Sequence, residues 1–223
     1  MIKSSWELTK AKSQYHFDTG VIDPRWDTVL HLGKFIGDWD KDLQIAIDTS
    51  TPVNWETRGY RNDVLDWEQP ELEIEEYDLI THGADPKMIL SNLNYNLPKV
   101  FQNIANCFAM TNVMSRIHVQ QCGEVWNLHI DKLQKWNPVD PSQVIRVFVQ
   151  LLDWQPGQFW EFGNYHWNHW KKGDAVTFDW QNVPHCTANA GYHPRCTLQI
   201  TGVRTSKTTE FLEKFKEKQI WQV

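Results

Sequence analysis

The chain has 223 residues, 41% hydrophobic and 22% charged, which suits one sizeable folded core and is too apolar for disorder. Its net charge of −6 argues against a nucleic-acid binder that relies on phosphate neutralisation. No apolar run reaches the ~20 residues of a membrane span, and the start, MIKSSWELTKAKSQYHF, lacks the apolar centre of a secretory signal. The four cysteines Cys107, Cys122, Cys186 and Cys196 contain no C-x-x-C pair and read as reduced thiols in a cytoplasmic protein. Thirteen tryptophans suit a β-rich core or an aromatic-lined pocket.

No repeat or low-complexity linker divides the chain, so a single domain over 1–223 is expected. Residues 1–110 read as a helical and irregular elaboration, 111–205 as a strand-rich core and 206–223 as a helical tail. Asp23-Pro24 followed by Trp26, Val29 and Leu30 predicts a short helix with proline in its first turn. The acidic stretch Asp66 to Asp78 contains no Lys or Arg and reads as a solvated edge, with contact to a basic partner as the alternative. Asn96 to Met110 is the strongest helix: Leu97, Val100, Phe101, Ile104, Ala105 and Phe108 form one apolar stripe, with Asn96 as cap and Pro98 in the first turn. That stripe is expected to pack on the outside of a sheet.

After Thr111 the chain alternates as strands do: Arg116–Gln120, Val125–Asp131, Val144–Leu152, Ala175–Phe178 and Arg195–Val203, separated by turn residues. Short strands without intervening helices predict a mainly β fold, a sandwich or a jelly-roll barrel. Side chains alternate across a strand, so each strand has two faces. Asn127, His129 and Asp131 share one face, opposite Trp126, Leu128 and Ile130. Arg146, Phe148 and Gln150 oppose Ile145, Val147, Val149 and Leu151; Arg195, Thr197, Gln199 and Thr201 oppose Cys196, Leu198 and Ile200. The polar faces carry His, Asp, Arg and Thr in place of Lys and Glu, which favours a shared interior over a wet outer surface.

His129-Ile130-Asp131 puts an imidazole and a carboxylate on one strand face, and His185 follows in a block that continues through Gly191 to Arg195 and Thr197. Two histidines and one carboxylate make the facial triad of non-haem Fe(II) oxygenases, with positions left open for small molecules. Arg195 with a hydroxyl at Thr197 suits the remote carboxylate of a keto diacid, since a guanidinium offers a forked, charge-assisted pair.

The motifs R-I-H-V, H-I-D, I-R-V-F-V-Q-L, W-K-K-G-D-A-V-T-F-D, P-H, N-A-G and P-R-C-T-L, spread over residues 116–203, resemble the 2-oxoglutarate- and Fe(II)-dependent dioxygenases of the double-stranded β-helix fold. They are most similar to the aspartyl/asparaginyl β-hydroxylase branch, which includes proline hydroxylases. The resemblance implies a cupin-like jelly roll with flanking helices from the N-terminal half. It implies His129, Asp131 and His185 as Fe(II) ligands, and Arg195 with Thr197 as the site for the remote carboxylate of 2-oxoglutarate. Arg146 falls where that branch has an R-x-H element touching the co-substrate, although Phe148 stands in place of the histidine. The retained Asp131 implies hydroxylation by O₂ and disfavours halogenation. The substrate implied is an amino acid or a peptidyl Asp, Asn or Pro side chain, free or within a peptide, with no nucleic-acid or membrane partner and the oligomeric state left open.

Further pocket candidates are His118, Asn127, Phe148, Gln150 and Trp180, with Arg58, Arg61 and Asn62 as amino-acid recognition candidates in the N-terminal half. His166 and His169 read as a decorated hairpin in preference to a second metal site, and Cys186 and Cys196 as small core residues. Two competing readings stay open: a cupin-like metal dioxygenase or isomerase without 2-oxoglutarate, and a catalytically silent barrel that binds a small molecule or peptide.

Overall fold

The computed structural model describes residues 29–53, 91–131, 133–163, 165–215 and 220–222. The expected contributions of Asp23–Asp27, Arg58, Arg61, Asn62 and the acidic stretch Asp66–Asp78 lie outside these residues.

In chain order the elements are β1 (Val29–Ile36), α1 (Asp40–Asp48), β2 (Thr51–Val53), β3 (Ser91–Asn94), α2 (Lys99–Cys107), β4 (Thr111–Gln120) and β5 (Val125–His129). They continue with β6 (Val144–Gln150), β7 (Gln158–Phe162), β8 (Tyr165–Trp167), β9 (Asp174–Phe178), β10 (His185–Asn189), β11 (Arg195–Val203), α3 (Ser206–Phe215) and β12 (Ile220–Gln222). The strands form an eight-stranded sheet, ordered β12-β1-β9-β6-β11-β4-β3-β2, and a four-stranded sheet, ordered β5-β10-β7-β8. Every pairing is antiparallel except β1 with β12. The polar inner face of the larger sheet is turned toward the smaller one. The fold is a double-stranded β-helix with flanking helices.

The apolar faces of β4, β6 and β11 form one core with the helices. Ile117, Val119, Ile145, Val147, Val149, Leu198 and Ile200 pack there with Leu43 and Ala46 of α1, Phe101, Ile104 and Ala105 of α2, and Leu212 of α3. The α2 stripe is therefore core on the outside of a sheet, as its periodicity predicts. A second, aromatic core fills one end of the space between the sheets, with Phe148, Trp160, Phe162, Trp167, Phe178 and Trp180.

Three local expectations are corrected. The α2 helix begins at Lys99, not Asn96, because Pro98 is extended (φ −51°, ψ 155°) and the Asn96 backbone N–H is held by Asn94 Oδ1 at 2.8 Å. It ends before Ala109, whose left-handed φ of 49° stops the helix short of Met110. Val29 and Leu30 belong to strand β1. Their helical look comes from a bulge between His31 and Gly33, which spaces the buried Val29, Leu32 and Phe35 three apart. In the tail expected to be helical, α3 is followed by β12, which lies beside β1. Gly173 makes the turn before β9: its φ is +92°, and an added Cβ would meet Phe35 O at 1.9 Å.

Candidate metal and anion site

The site is assembled from both sheets. His129 ends β5 and His185 opens β10 directly opposite, since the two are register partners. Asp131 follows β5 by two residues, with its backbone N–H donating to Trp180 O at 2.9 Å. Trp180 is itself fixed by donation of Nε1–H to Val144 O at 2.8 Å. The placement of the carboxylate thus depends on a buried indole on a different strand connection.

His129 Nε2 and His185 Nε2 each lie 3.7 Å from an Asp131 oxygen. One ligand atom from each of the three residues falls within 4.8 Å of the others, and all three residues are buried. Among the described residues this is the one His/Cys/Asp/Glu group with that geometry. His185 Nδ1 donates to Val183 O at 3.1 Å, which leaves Nε2 as a lone pair facing the cluster. His129 Nε2 accepts from Trp126 Nε1 at 3.0 Å, so it too is an unprotonated nitrogen, with its lone pair engaged by the indole. Two neutral imidazoles and one carboxylate are a donor set for a divalent ion such as Fe(II).

Asp131 is shared. Its Oδ2 accepts from Arg146 at 2.5 Å, and Arg146 Nε donates to Thr201 Oγ1 at 2.9 Å. Burial pushes the carboxyl upward, but Arg146, joined by His185 and His129 when their rings are protonated, outweighs it and holds Asp131 well below the usual carboxylate range. Arg146 is thus placed against the ligand carboxylate, where it orients Asp131 and holds it ionised.

Arg195 occupies the other end of the cavity. Its Nε–H donates to Gln120 Oε1 at 2.8 Å, and its terminal nitrogens donate to Thr187 Oγ1 at 3.0 Å and Thr197 Oγ1 at 3.3 Å. Its guanidinium carbon stands 4.6 Å from the centroid of the Trp160 ring. Among the described residues no carboxylate pairs with it, and desolvation pushes it down to about 9, so that it remains charged at neutral pH. Two neighbouring donors are buried without a partner: Trp160 Nε1 and Gln150 Nε2, the latter on the amide whose oxygen accepts from Thr197 at 3.0 Å. A buried cation lacking a counter-ion, ringed by hydroxyls and spare N–H donors, fits an incoming carboxylate.

Between these two ends lies a cavity, partly open to solvent, walled by His118, Trp126, Phe148, Trp160, Thr187 and Gln199 as well as the triad, Arg146, Arg195 and Thr197. Of the further pocket candidates, His118 and Phe148 reach its wall; Gln150 lies behind Thr197 and Trp180 behind Asp131, while the Asn127 side chain is outside the described set. Cys196 is core, but Cys186 is half-buried and reaches the cavity wall. His166 pairs with Glu161 on the β7–β8 hairpin, and His169 stacks on Trp154, so neither joins a metal cluster.

Thr187, Gln120 and Gln199 were readable as period-2 neighbours of His185, His118 and Thr197. Trp126 was not. His185 pairs with His129 and Thr187 with Trp126, so two steps along β10 match three along β5. This bulge brings Trp126 onto the His129 face, against the expected alternation.

No protein-family model and no curated protein sequence matches the chain. Solved structures similar to it include a prolyl-4-hydroxylase of Pseudomonas putida, at 15% identity over 61% of this chain and 85% of that one, with a TM-score of 0.42. The Cnp3 cupin domain of Schizosaccharomyces pombe is similar at 8% identity over 55% and 72%, with a TM-score of 0.35. A cupin 2 conserved barrel domain protein from Salinispora arenicola is similar at 9% over 58% and 85%, with a TM-score of 0.31. Likenesses this distant are silent about substrate. The chemistry has to be read from the site: a 2-His-1-Asp group in a double-stranded β-helix, the donor set of the broad Fe(II)/2-oxoglutarate dioxygenase and cupin grouping. Among the described residues no helix is long and apolar enough to cross a membrane.

Proposed function

We propose that the protein is an Fe(II)- and 2-oxoglutarate-dependent dioxygenase that hydroxylates an unactivated C–H bond of an amino acid or of a peptidyl Asp, Asn or Pro side chain. The observation that carries this reading is Arg195: a buried guanidinium without a counter-ion among the described residues, in the same cavity as the triad. That uncompensated charge costs stability unless an anionic ligand neutralises it, and the remote carboxylate of a diacid co-substrate supplies the charge. The four free cysteines support a reducing compartment such as the cytoplasm.

In this reading His129, Asp131 and His185 hold Fe(II). Bound together, the ion, O₂ and 2-oxoglutarate supply the oxidising power, with one oxygen atom of O₂ ending in succinate and the other in the hydroxylated product. The chain's own residues do the rest. Arg195 and Thr197 fix the remote carboxylate, with Trp160 Nε1 available as a further donor. Arg146 keeps Asp131 ionised and turned toward the histidines. Trp126, Phe148 and Trp160 wall the cavity and exclude water from the reacting centre.

The test is anaerobic addition of Fe(II) and 2-oxoglutarate, followed through the weak visible charge-transfer band of the chelate. A band in the wild type that is lost in Arg195→Ala is the expected result. Metal binding without a band would move the assignment to a cupin-like enzyme without 2-oxoglutarate. Failure to bind metal would leave a silent barrel.

A further inference from the structure

The inner face of β4 carries a row of polar residues that runs from the Arg195 end of the cavity to its rim. Gln120 faces Arg195, His118 faces Thr197 and Arg116 faces Gln199 on β11. Exposure rises along this row: Gln120 and His118 are buried, and Arg116 is half-buried. Gln199 Oε1 accepts from Arg116 Nε at 2.7 Å and is 2.6 Å from His118 Nε2. With that oxygen committed to two donors, the Gln199 amide N–H₂ is left without a protein partner among the described residues, on a side chain that lines the cavity. The other contact of Arg116 is a long one, 3.5 Å from NH1 to the hydroxyl of the exposed Tyr95. Among the described residues no carboxylate pairs with Arg116.

Charge sharpens the point. In a chain of net charge −6, the described residues that line this cavity include two guanidiniums, Arg146 and Arg195, and one carboxylate, Asp131, and a third guanidinium, Arg116, stands behind the lining Gln199 as its hydrogen-bond donor. Asp131 is already shared with Arg146. A divalent ion would add positive charge, and a dicarboxylate at Arg195 would leave the rim still cationic. Arg116 and Arg146 stand two strands apart, across β11, and two residues apart along the strands, or roughly 12 Å between backbones. A small molecule held at Arg116 can therefore reach the triad.

We propose that Arg116 and Gln199 form a carboxylate-binding subsite at the cavity rim, separate from the Arg195 site, and that the substrate is a small molecule anchored there by a carboxylate group. This rests on the dioxygenase reading for what happens to the substrate, but not for the binding itself.

The experiment uses the full chain loaded with Mn(II) and 2-oxoglutarate in calorimetric titrations. The probes are a panel of small aliphatic, aromatic, hydroxy and amino acids, each paired with its neutral carboxamide. At least one free acid is expected to bind, with its carboxamide about tenfold or more weaker. Arg116→Gln is expected to weaken that acid by a similar factor and Arg116→Lys by less, both leaving 2-oxoglutarate affinity unchanged within about twofold. Equal binding of acid and carboxamide, an unaffected Arg116→Gln, or no acid bound from the whole panel would each overturn the subsite. If 2-oxoglutarate itself does not bind, the dioxygenase reading fails; the acid and carboxamide titrations on the Mn(II) protein still decide the subsite.

Discussion

Asp131 answers to two claims, and the balance between them sets the behaviour of the site. Arg146 is buried and depends on this carboxylate for charge compensation. Asp131→Ala is therefore expected to abolish metal binding and also to cost about 3–5 kcal/mol of stability, because it strands a buried guanidinium. Parallel denaturant melts and Mn(II) titrations would check both effects; a variant as stable as the wild type would show that Arg146 finds another partner. The pH dependence has a definite sign. Because the native carboxyl sits below its unfolded value, its contribution is complete above roughly pH 5, declines as pH falls below the unfolded value and is gone below the depressed native value, in strong acid. Trp126 acts the opposite way on the neighbouring ligand. Its indole N–H occupies the His129 Nε2 lone pair that a metal needs, so metal binding must break that 3.0 Å hydrogen bond. Removing a bond of about 0.5–1.5 kcal/mol with Trp126→Phe should tighten Mn(II) binding by as much as about tenfold. Weaker binding in that variant would instead give Trp126 a supporting role.

The β5 strand explains both what the sequence disclosed of the site and what it concealed. His129, Asp131, His185, Arg195 and Thr197 could be grouped from their residue types and strand periods, because β11 runs regularly from Arg195 to Thr201 and its inner residues alternate there with core residues. Period 2 fails where an extra residue enters a ladder, and no residue of VWNLHID announces the bulge. Leu128 sits in it, 48% exposed, with little packing to lose. Deleting Leu128 would match two steps along β5 to two along β10, a regular ladder with Trp126 and His129 still on one face. The expected outcome is a folded barrel by far-UV circular dichroism that still binds Mn(II). Loss of metal binding after the deletion would mean that the bulge itself sets the angle at which His129 meets Asp131 and His185. In β1 the same kind of irregularity had a larger consequence, since a bulge gave a sheet strand the spacing of a helix.

Across the whole molecule, the packing that holds the fold and the groups that offer chemistry lie on opposite faces of the eight-stranded sheet. The larger core sits outside the barrel, where α1, α2 and α3 cover β4, β6 and β11, and it contains no residue of the triad. The N-terminal half contributes more to this arrangement than an irregular elaboration would: β1 lies within the sheet, and the fully buried Trp39 donates Nε1–H to Leu151 O at 3.1 Å. Those contacts were not legible, because they join segments far apart in sequence and α1 buries only Leu43 and Ala46. The division predicts that metal is a ligand of the folded protein and not a condition for folding. Chelation should leave the circular dichroism spectrum and a cooperative melt intact. Addition of Mn(II) and 2-oxoglutarate at about 100 times their Kd should then stabilise the native state by about 2.7 kcal/mol for each ligand. For a chain of this size each kcal/mol raises Tm by about 2–4 °C. Arg195→Met, which replaces the uncompensated cation with an apolar side chain, should stay folded, keep the rise due to metal and lose the rise due to 2-oxoglutarate. Loss of the cooperative transition on chelation would make the triad a structural clamp; a 2-oxoglutarate shift retained by Arg195→Met would place the co-substrate elsewhere.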